Sequence, residues 1–404
     1  MTYTEGEAFD IVLQTLPMLE DCNWDFPLDV NGPVDILHVP GDMILPYLED
    51  LENAGFNIEL SANDLPEQLL YIFNFSNGAA VVSADRRIGE IVFAVLEDVN
   101  LSIESFDHEI ATGQSNTNSE SSTITLPTEH PIPMLSEIMC IAASSFNYNL
   151  YQQYPIDDWQ DSLSAKLSSN VPLINQHWPF NDSCPAVNDQ RALAGCGPIA
   201  MFATIIYRNY PRTVYGFSFD RSFWMSNWWE DISILQAHRY EAANIVYALG
   251  VHASSHYNVR FDSHGQGHTS TNKDSLVYVM NELGYAMSRC SYDGITIRNM
   301  LMNDKPVILS GDRIDQNNIS HGHFYIVSEI LVINKHFTCI ECNDTTTNSL
   351  CYMYCNLLQY HPTINSEQNN KNGWFYFPLQ SNASNANPAY EIAQYYLNIE
   401  LYKY

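Results

Sequence analysis

Residues 111–130 read ATGQSNTNSESSTITLPTEH, and nothing in that run can build a core. Such a Ser, Thr, Asn and Gln tract behaves as an exposed connector with little to bury. It divides a chain of 404 residues that is otherwise rich in core-forming side chains, 46% hydrophobic and only 16% charged. At roughly 100–200 residues per domain a chain of this length folds as two units or more. The sequence therefore predicts a small unit over 1–110, a linker region over 111–164, and a larger unit over 165–404.

Charge removes several partners. Seventeen Lys and Arg stand against 47 Asp and Glu, a formal net charge of −30. Neutralising a phosphate backbone requires clustered basic residues, so nucleic acid is excluded as a partner, and an anionic membrane surface is disfavoured too. No run approaches the ~18 apolar residues of a membrane helix. The first residues, MTYTEGEAF, lack the basic and apolar regions of a signal peptide.

In the first unit Leu69–Phe75 is rich in β-branched and aromatic residues, Asn77-Gly78 is a strong hairpin turn, and Ala79–Ala84 is the return strand. Asp42–Ala54 carries Ile44, Leu45, Leu48 and Leu51 at helical spacing, and Glu90–Leu96 reads as a further strand. This is a compact unit of mixed helices and strands, α/β in content. Helical patterns follow at Ala194–Tyr210, Glu241–Leu249, Lys273–Leu283 and Thr296–Asn303, with another beginning near Ile138. Strands are predicted at Pro306–Ser310, Phe324–Ile330, Phe337–Glu341 and Gly373–Phe377. Helices first and strands after them is an α+β pattern.

Cys196 carries the clearest chemical signal. It stands where a loop becomes a helix, between Gly195 and Gly197, with Pro198 in the first turn, where a missing N–H costs nothing. Free N–H groups and the macrodipole at a helix N-terminus favour an anion, and a thiolate is one. A small buried Cys at a tight turn is the alternative. A thiolate nucleophile needs a base. His323 opens the apolar run Phe324–Val327, where a strand would hold its ring rigidly. His321 and the loop His264–His268 are rivals, and a His that merely caps a strand is the plainer explanation. Acyl transfer also needs a donor for the developing oxyanion. Gln176 lies twenty residues before Cys196, far enough to fold back over the helix N-terminus. Cys339, Cys342, Cys351 and Cys355 offer four thiols for a tetrahedral zinc, although their loop is shorter than the usual spacing, and buried thiols or disulfides explain them as well. No metal or cofactor is predicted.

Together these segments resemble the streptopain-like cysteine peptidases, a papain-like family of secreted bacterial enzymes. LINQHWPFNDSCP (173–185) is similar to the family's NQ…PYN…CP segment. AGCGPIAMFATIIYRNYP (194–211) is similar to its nucleophile helix. Lys305–Gly311 resembles its RPVIYSG strand, and Gly322–Val327 its histidine strand. YIFNFSNGAAVVSAD (71–85) resembles the hairpin of its inhibitory prodomain. The likeness spans roughly residues 5–380. It departs in two places: Gly197-Pro198 stand where the family has Val-Ala, and a Trp-rich strand after the His is missing, its nearest counterpart 354–359 keeping only Asn356.

The resemblance implies a papain-like catalytic domain, a helical half plus an antiparallel sheet half, behind a small α/β prodomain. It implies Cys196 as nucleophile, His323 as general base and acid, Gln176 as oxyanion donor with the Cys196 N–H, and Asn356 as the group that orients the imidazole. The expected function is a secreted or cell-surface cysteine endopeptidase made as a zymogen, with protein or peptide substrates and its own N-terminal prodomain as partners. Two other readings remain: a catalytically weakened homologue used for binding or adhesion, motivated by the missing Trp strand, and a different Cys-His acyl-transfer enzyme.

Overall fold

The computed structural model describes residues 2–20, 28, 31–53, 58, 60, 64–97, 99–106, 138–139, 141–143, 159–168, 171–187, 190–226, 228, 232–261, 267–314, 320–339, 344–356, 373–378 and 400–404. The first helix, Glu5–Glu20, starts at a reciprocal cap. The Thr4 N–H donates to the Glu7 carboxylate at 2.8 Å, and the Glu7 N–H donates to the Thr4 hydroxyl at 3.2 Å. Strand β1 (Asp35–Pro40) leads through a 3₁₀ turn (Gly41–Ile44) into a helix at Leu45–Asn53. The Asn77-Gly78 turn joins β2 (Gln68–Phe75) to β3 (Gly78–Ser83), and β4 (Val92–Glu97) pairs with β3. Part of the expected linker region, 111–164, is among the described residues. Ile138, Met139 and Ile141–Ala143 are helical and buried, and β5 (Trp159–Ser168) straddles the expected boundary at 164/165.

The larger unit begins with short ladders, β6 (Ala186–Val187) with β7 (Gln190–Arg191) and β8 (Thr213–Val214) with β9 (Phe217–Ser218). Its main helices are Cys196–Arg208, Ile232–His252, Lys273–Glu282 and Gly294–Met302. A hairpin of β10 (His256–Phe261) and β11 (Gly267–Ser270) lies between the second and third of these. Then come β12 (Ser288–Ser291), β13 (Val307–Ile314), β14 (Ser320–Cys339), β15 (Asp344–Asn356), β16 (Gly373–Pro378) and β17 (Glu400–Lys403). The strands expected at Phe324–Ile330 and Phe337–Glu341 are one, β14, as far as Cys339, because its partners β15 and β5 continue through residues 331–336; Ile340 and Glu341 lie outside the described residues.

Helices and antiparallel strands combine in an α+β fold. The large sheet runs β1-β2-β3-β4-β16-β15-β14-β13-β17-β12, with β5 added on β14. Strand alternation sorts its side chains into two cores. Val307, Leu309, Tyr325, Val327 and Leu401 enter one cluster, which also holds the core of residues 2–106. Ile308, Phe324, Ile326 and Tyr402 enter the other, beside the Cys196–Arg208, Ile232–His252 and Lys273–Glu282 helices.

Candidate active site

The Cys196–Arg208 helix is buried from Cys196 through Ile206. Such a helix draws its stability from packing on every side rather than from an amphipathic stripe. Its cap, Gly195, has φ 90°, a conformation glycine enters without steric cost. A Cβ there would lie 2.8 Å from the Thr269 methyl, and a Cβ on Gly197 would lie 2.8–2.9 Å from Thr271. The turn before the helix therefore fits against the residues that leave β11. Thr269 Oγ1 donates to the Leu193 carbonyl at 2.6 Å, and the Thr271 and Ser255 hydroxyls are 2.9 Å apart. The Gly197-Pro198 departure has a local reason here: Thr271 occupies the space a Val side chain would need.

The segment containing Gln176 is tied to the same turn. The Ala194 N–H donates to the Gln176 carbonyl at 2.9 Å, Asn181 Nδ2 to the Ala192 carbonyl at 3.1 Å, and Trp228 Nε1 to the Leu173 carbonyl at 2.8 Å. Gln176 is buried beside the start of the helix.

From the opposite side β14 delivers two groups. The Phe324 N–H donates to Cys196 Sγ at 3.4 Å, and the His323 ring hydrogen-bonds the same sulfur. His323 is half-buried and faces Gly311 in the β13–β14 register. Cys196 is 8% exposed. Burial alone would push its thiol upward. The charge and hydrogen bond of His323, then the N–H groups of Phe324 and Gly197, outweigh burial and hold it below the ordinary thiol value. Cys184 supplies the contrast. It lies in the same apolar cluster, and burial pushes it up to about 12, against a weaker lowering by Arg191. Cys290 is raised by burial as well. Location in the core does not set Cys196 apart; its donors do.

The structure thus joins Cys196, His323 and the Gln176 segment. Asn356 ends β15 opposite Ile326, three residues along β14 from His323, which places its backbone on the neighbouring strand. His321 lies on β14 opposite Arg313 and His268 on β11, whereas His264 falls outside the described residues. The Phe324 N–H and the Thr269–Thr271 support left no signature in the sequence, because a backbone donor and a packing contact have no residue type of their own.

On the described strands the backbone positions of Cys339, Cys351 and Cys355, three of the four candidate zinc ligands, lie apart. Cys351 and Cys355 are four residues apart on β15, ~13 Å at ~3.3 Å per residue. Cys339 pairs with Asp344 while Cys351 pairs with Val332, a further seven residues along β14. Thiols on one zinc must each lie ~2.3 Å from the metal. Cys355 is buried with its Sγ toward the Met353 carbonyl at 3.8 Å, and Cys342 lies outside the described residues. Among the described residues no group of three His, Cys, Asp or Glu could hold a metal ion, and no helix is long and apolar enough to cross a membrane.

No family model matches the sequence, and no curated protein matches it. Solved structures that match include the following two. A fragment of Prevotella intermedia prointerpain A has 12% identity and a TM-score of 0.49, covering 83% of this chain and 95% of its own. The active wild-type Prevotella intermedia interpain A cysteine protease has 13% identity and a TM-score of 0.39, covering 59% of this chain and 95% of its own.

Proposed function

We propose that this chain is a cysteine peptidase that cleaves proteins or peptides through a thioester acyl-enzyme. One observation carries the reading: a single sulfur, at a helix N-terminus, meets an imidazole and two backbone N–H groups and is lowered where its buried neighbour Cys184 is raised. The choice of peptide substrates is supported by the sequence resemblance of 173–185, 194–211 and 322–327 to streptopain-like enzymes.

The Cys196 thiolate attacks the scissile carbonyl carbon, and the carbonyl electron pair moves onto oxygen. The Cys196 N–H and the Gln176 amide donate to that oxyanion. Collapse expels the amine, which takes its proton from the His323 imidazolium, and leaves a thioester. Water, losing a proton to His323, attacks the thioester, and the acid departs with the thiolate restored. Asn356 takes the role of orienting the imidazole by the family resemblance alone.

Residues 1–110 act in this reading as the proregion of a zymogen, with the activating cut in 111–164. The enzyme works outside the cell or at its surface, which rests on the family resemblance. The missing Trp strand keeps a weakened, binding-only homologue as the competing reading.

A peptide epoxide separates the two. It should alkylate Cys196 in the cut chain far faster than Cys184, and His323→Ala should slow that step. Modification of Cys196 no faster than of an ordinary thiol would refute the peptidase.

A further inference from the structure

We infer that residues 2–106 stay bound after the connecting segment is cut, so that the working enzyme is a particle of two chains rather than a catalytic domain freed from its proregion. The two units share one sheet. β4 pairs antiparallel with β16, Leu96 opposite Gly373, Val95 opposite Trp374 and Ala94 opposite Phe375. Close approach is built into the joint: a Cβ on Gly373 would lie 2.2 Å from the Val95 carbonyl oxygen. The two units also share one core. Phe93, Val95 and Leu96 belong to the same buried cluster as Met353, Trp374, Phe375 and Tyr376. The Phe93 and Tyr376 rings meet edge to face at 6.1 Å.

Separation would strip this joint on both sides. Each unit would present an unpaired strand edge flanked by large apolar side chains, the kind of edge that soluble proteins cover or charge. β4 carries no lysine, arginine or proline, and its one charge, Glu97, lies at its end beyond the three residues paired with β16, so Ala94, Val95 and Leu96 would stand as an apolar free edge. An interface that resembles a domain core cut in half is typical of permanent partners.

Departure is also unnecessary for assembling the site. With β4 in place the Cys196–His323 contact is already made, and β16 and β15 stand between β4 and β14. The β4–β16 ladder is made by residues 94–96 and 373–375, none of which belongs to the polar tract 111–130. That the cut particle works as an enzyme rests on the proposed peptidase; that its two fragments stay together does not, and the test below reads only the second.

The test uses the full chain with Cys196→Ala, which removes self-cleavage, and a recognition sequence for an added protease inserted within 113–127. After complete cutting, verified on a denaturing gel, gel filtration should return both fragments at the elution volume of the uncut chain. The amides of Trp374 and Phe375 should keep their hydrogen-exchange protection. The same chain carrying Gly373→Val should release its N-terminal fragment. Separation of the cut parent chain, or loss of protection at β16 on cutting, overturns the inference. Retention that persists in Gly373→Val with β16 unprotected also overturns it, since the fragment would then be held elsewhere.

Discussion

The backbone N–H of Phe324 points at the sulfur of Cys196 from 3.4 Å, across 128 residues of sequence. Its neighbour His323 hydrogen-bonds the same atom. One strand therefore brings a neutral dipole and a titratable ring to the sulfur in consecutive residues. A two-residue segment at the mouth of a helix thus sets the thiol of Cys196, which is lowered, apart from those of Cys184 and Cys290, which are raised.

The first consequence concerns reactivity and pH. The thiol of Cys196 is held below its ordinary value, so its alkylation by iodoacetamide should persist below the ~8.5 of a free cysteine. Cys184, held at about 12, should stay unmodified in the folded chain. Mass spectrometry of tryptic peptides across a pH series checks both. Equal rates at the two cysteines would contradict the electrostatic account.

The same shift links to stability. A group whose folded pKa lies below its unfolded one stabilises fully above the unfolded value, and that contribution disappears as pH falls through the folded value. The denaturation midpoint of the parent chain, relative to Cys196→Ser, should therefore rise as pH goes from acidic toward the unfolded thiol's range. A difference that is flat with pH would refute the linkage.

His323→Ala removes the proton donor and the main group that favours the thiolate. Turnover of a peptide amide should fall by at least ~10²-fold, the scale of general acid–base catalysis. The thiol of the variant should titrate upward from the parent value. Steady-state kinetics, with alkylation as a function of pH, separates the two losses.

Gly197→Ala places a Cβ 2.8 Å from Thr271. Overpacking of this kind costs ~1–3 kcal/mol. A thermal melt should show the loss, and adding Thr271→Gly should recover part of it. A double-mutant cycle with no coupling between the two sites would show that the space is not shared.

Arg87 grips the carboxylate of Asp85 through two nitrogens, Nε to Oδ1 at 2.8 Å and Nη2 to Oδ2 at 2.6 Å, and Asp85 is 1% exposed. Arg87→Ala leaves a buried carboxylate without its cation, so the folded chain should lose about 3 kcal/mol in urea denaturation. Asp85→Asn combined with Arg87→Ala should be less damaging than Arg87→Ala alone.

Local patterns in the sequence disclosed local structure. Asn77-Gly78 announces the β2–β3 hairpin, and Gly-Cys-Gly-Pro followed by an apolar run announces the helix that carries Cys196. The Thr4–Glu7 capping box was equally available as a sign of the Glu5–Glu20 helix, but Pro17 inside that helix obscures it. The Ile232–His252 helix extends nine residues before the expected Glu241.

The order of residues alone determined which side chains are chemically able to act. A cysteine between two glycines, a histidine at the head of an apolar strand and a surplus of acid are properties of the chain, fixed before it folds. Only the tertiary structure decided which of these groups meet, since the β13–β14 ladder and the approach of Phe324 to Cys196 join residues that share no local pattern. It decided as well that β4 continues the large sheet through β16. Hydrogen bonding between strand edges uses backbone groups that every residue but proline carries, so the identity of the partner is written in the packing of the whole rather than in any segment.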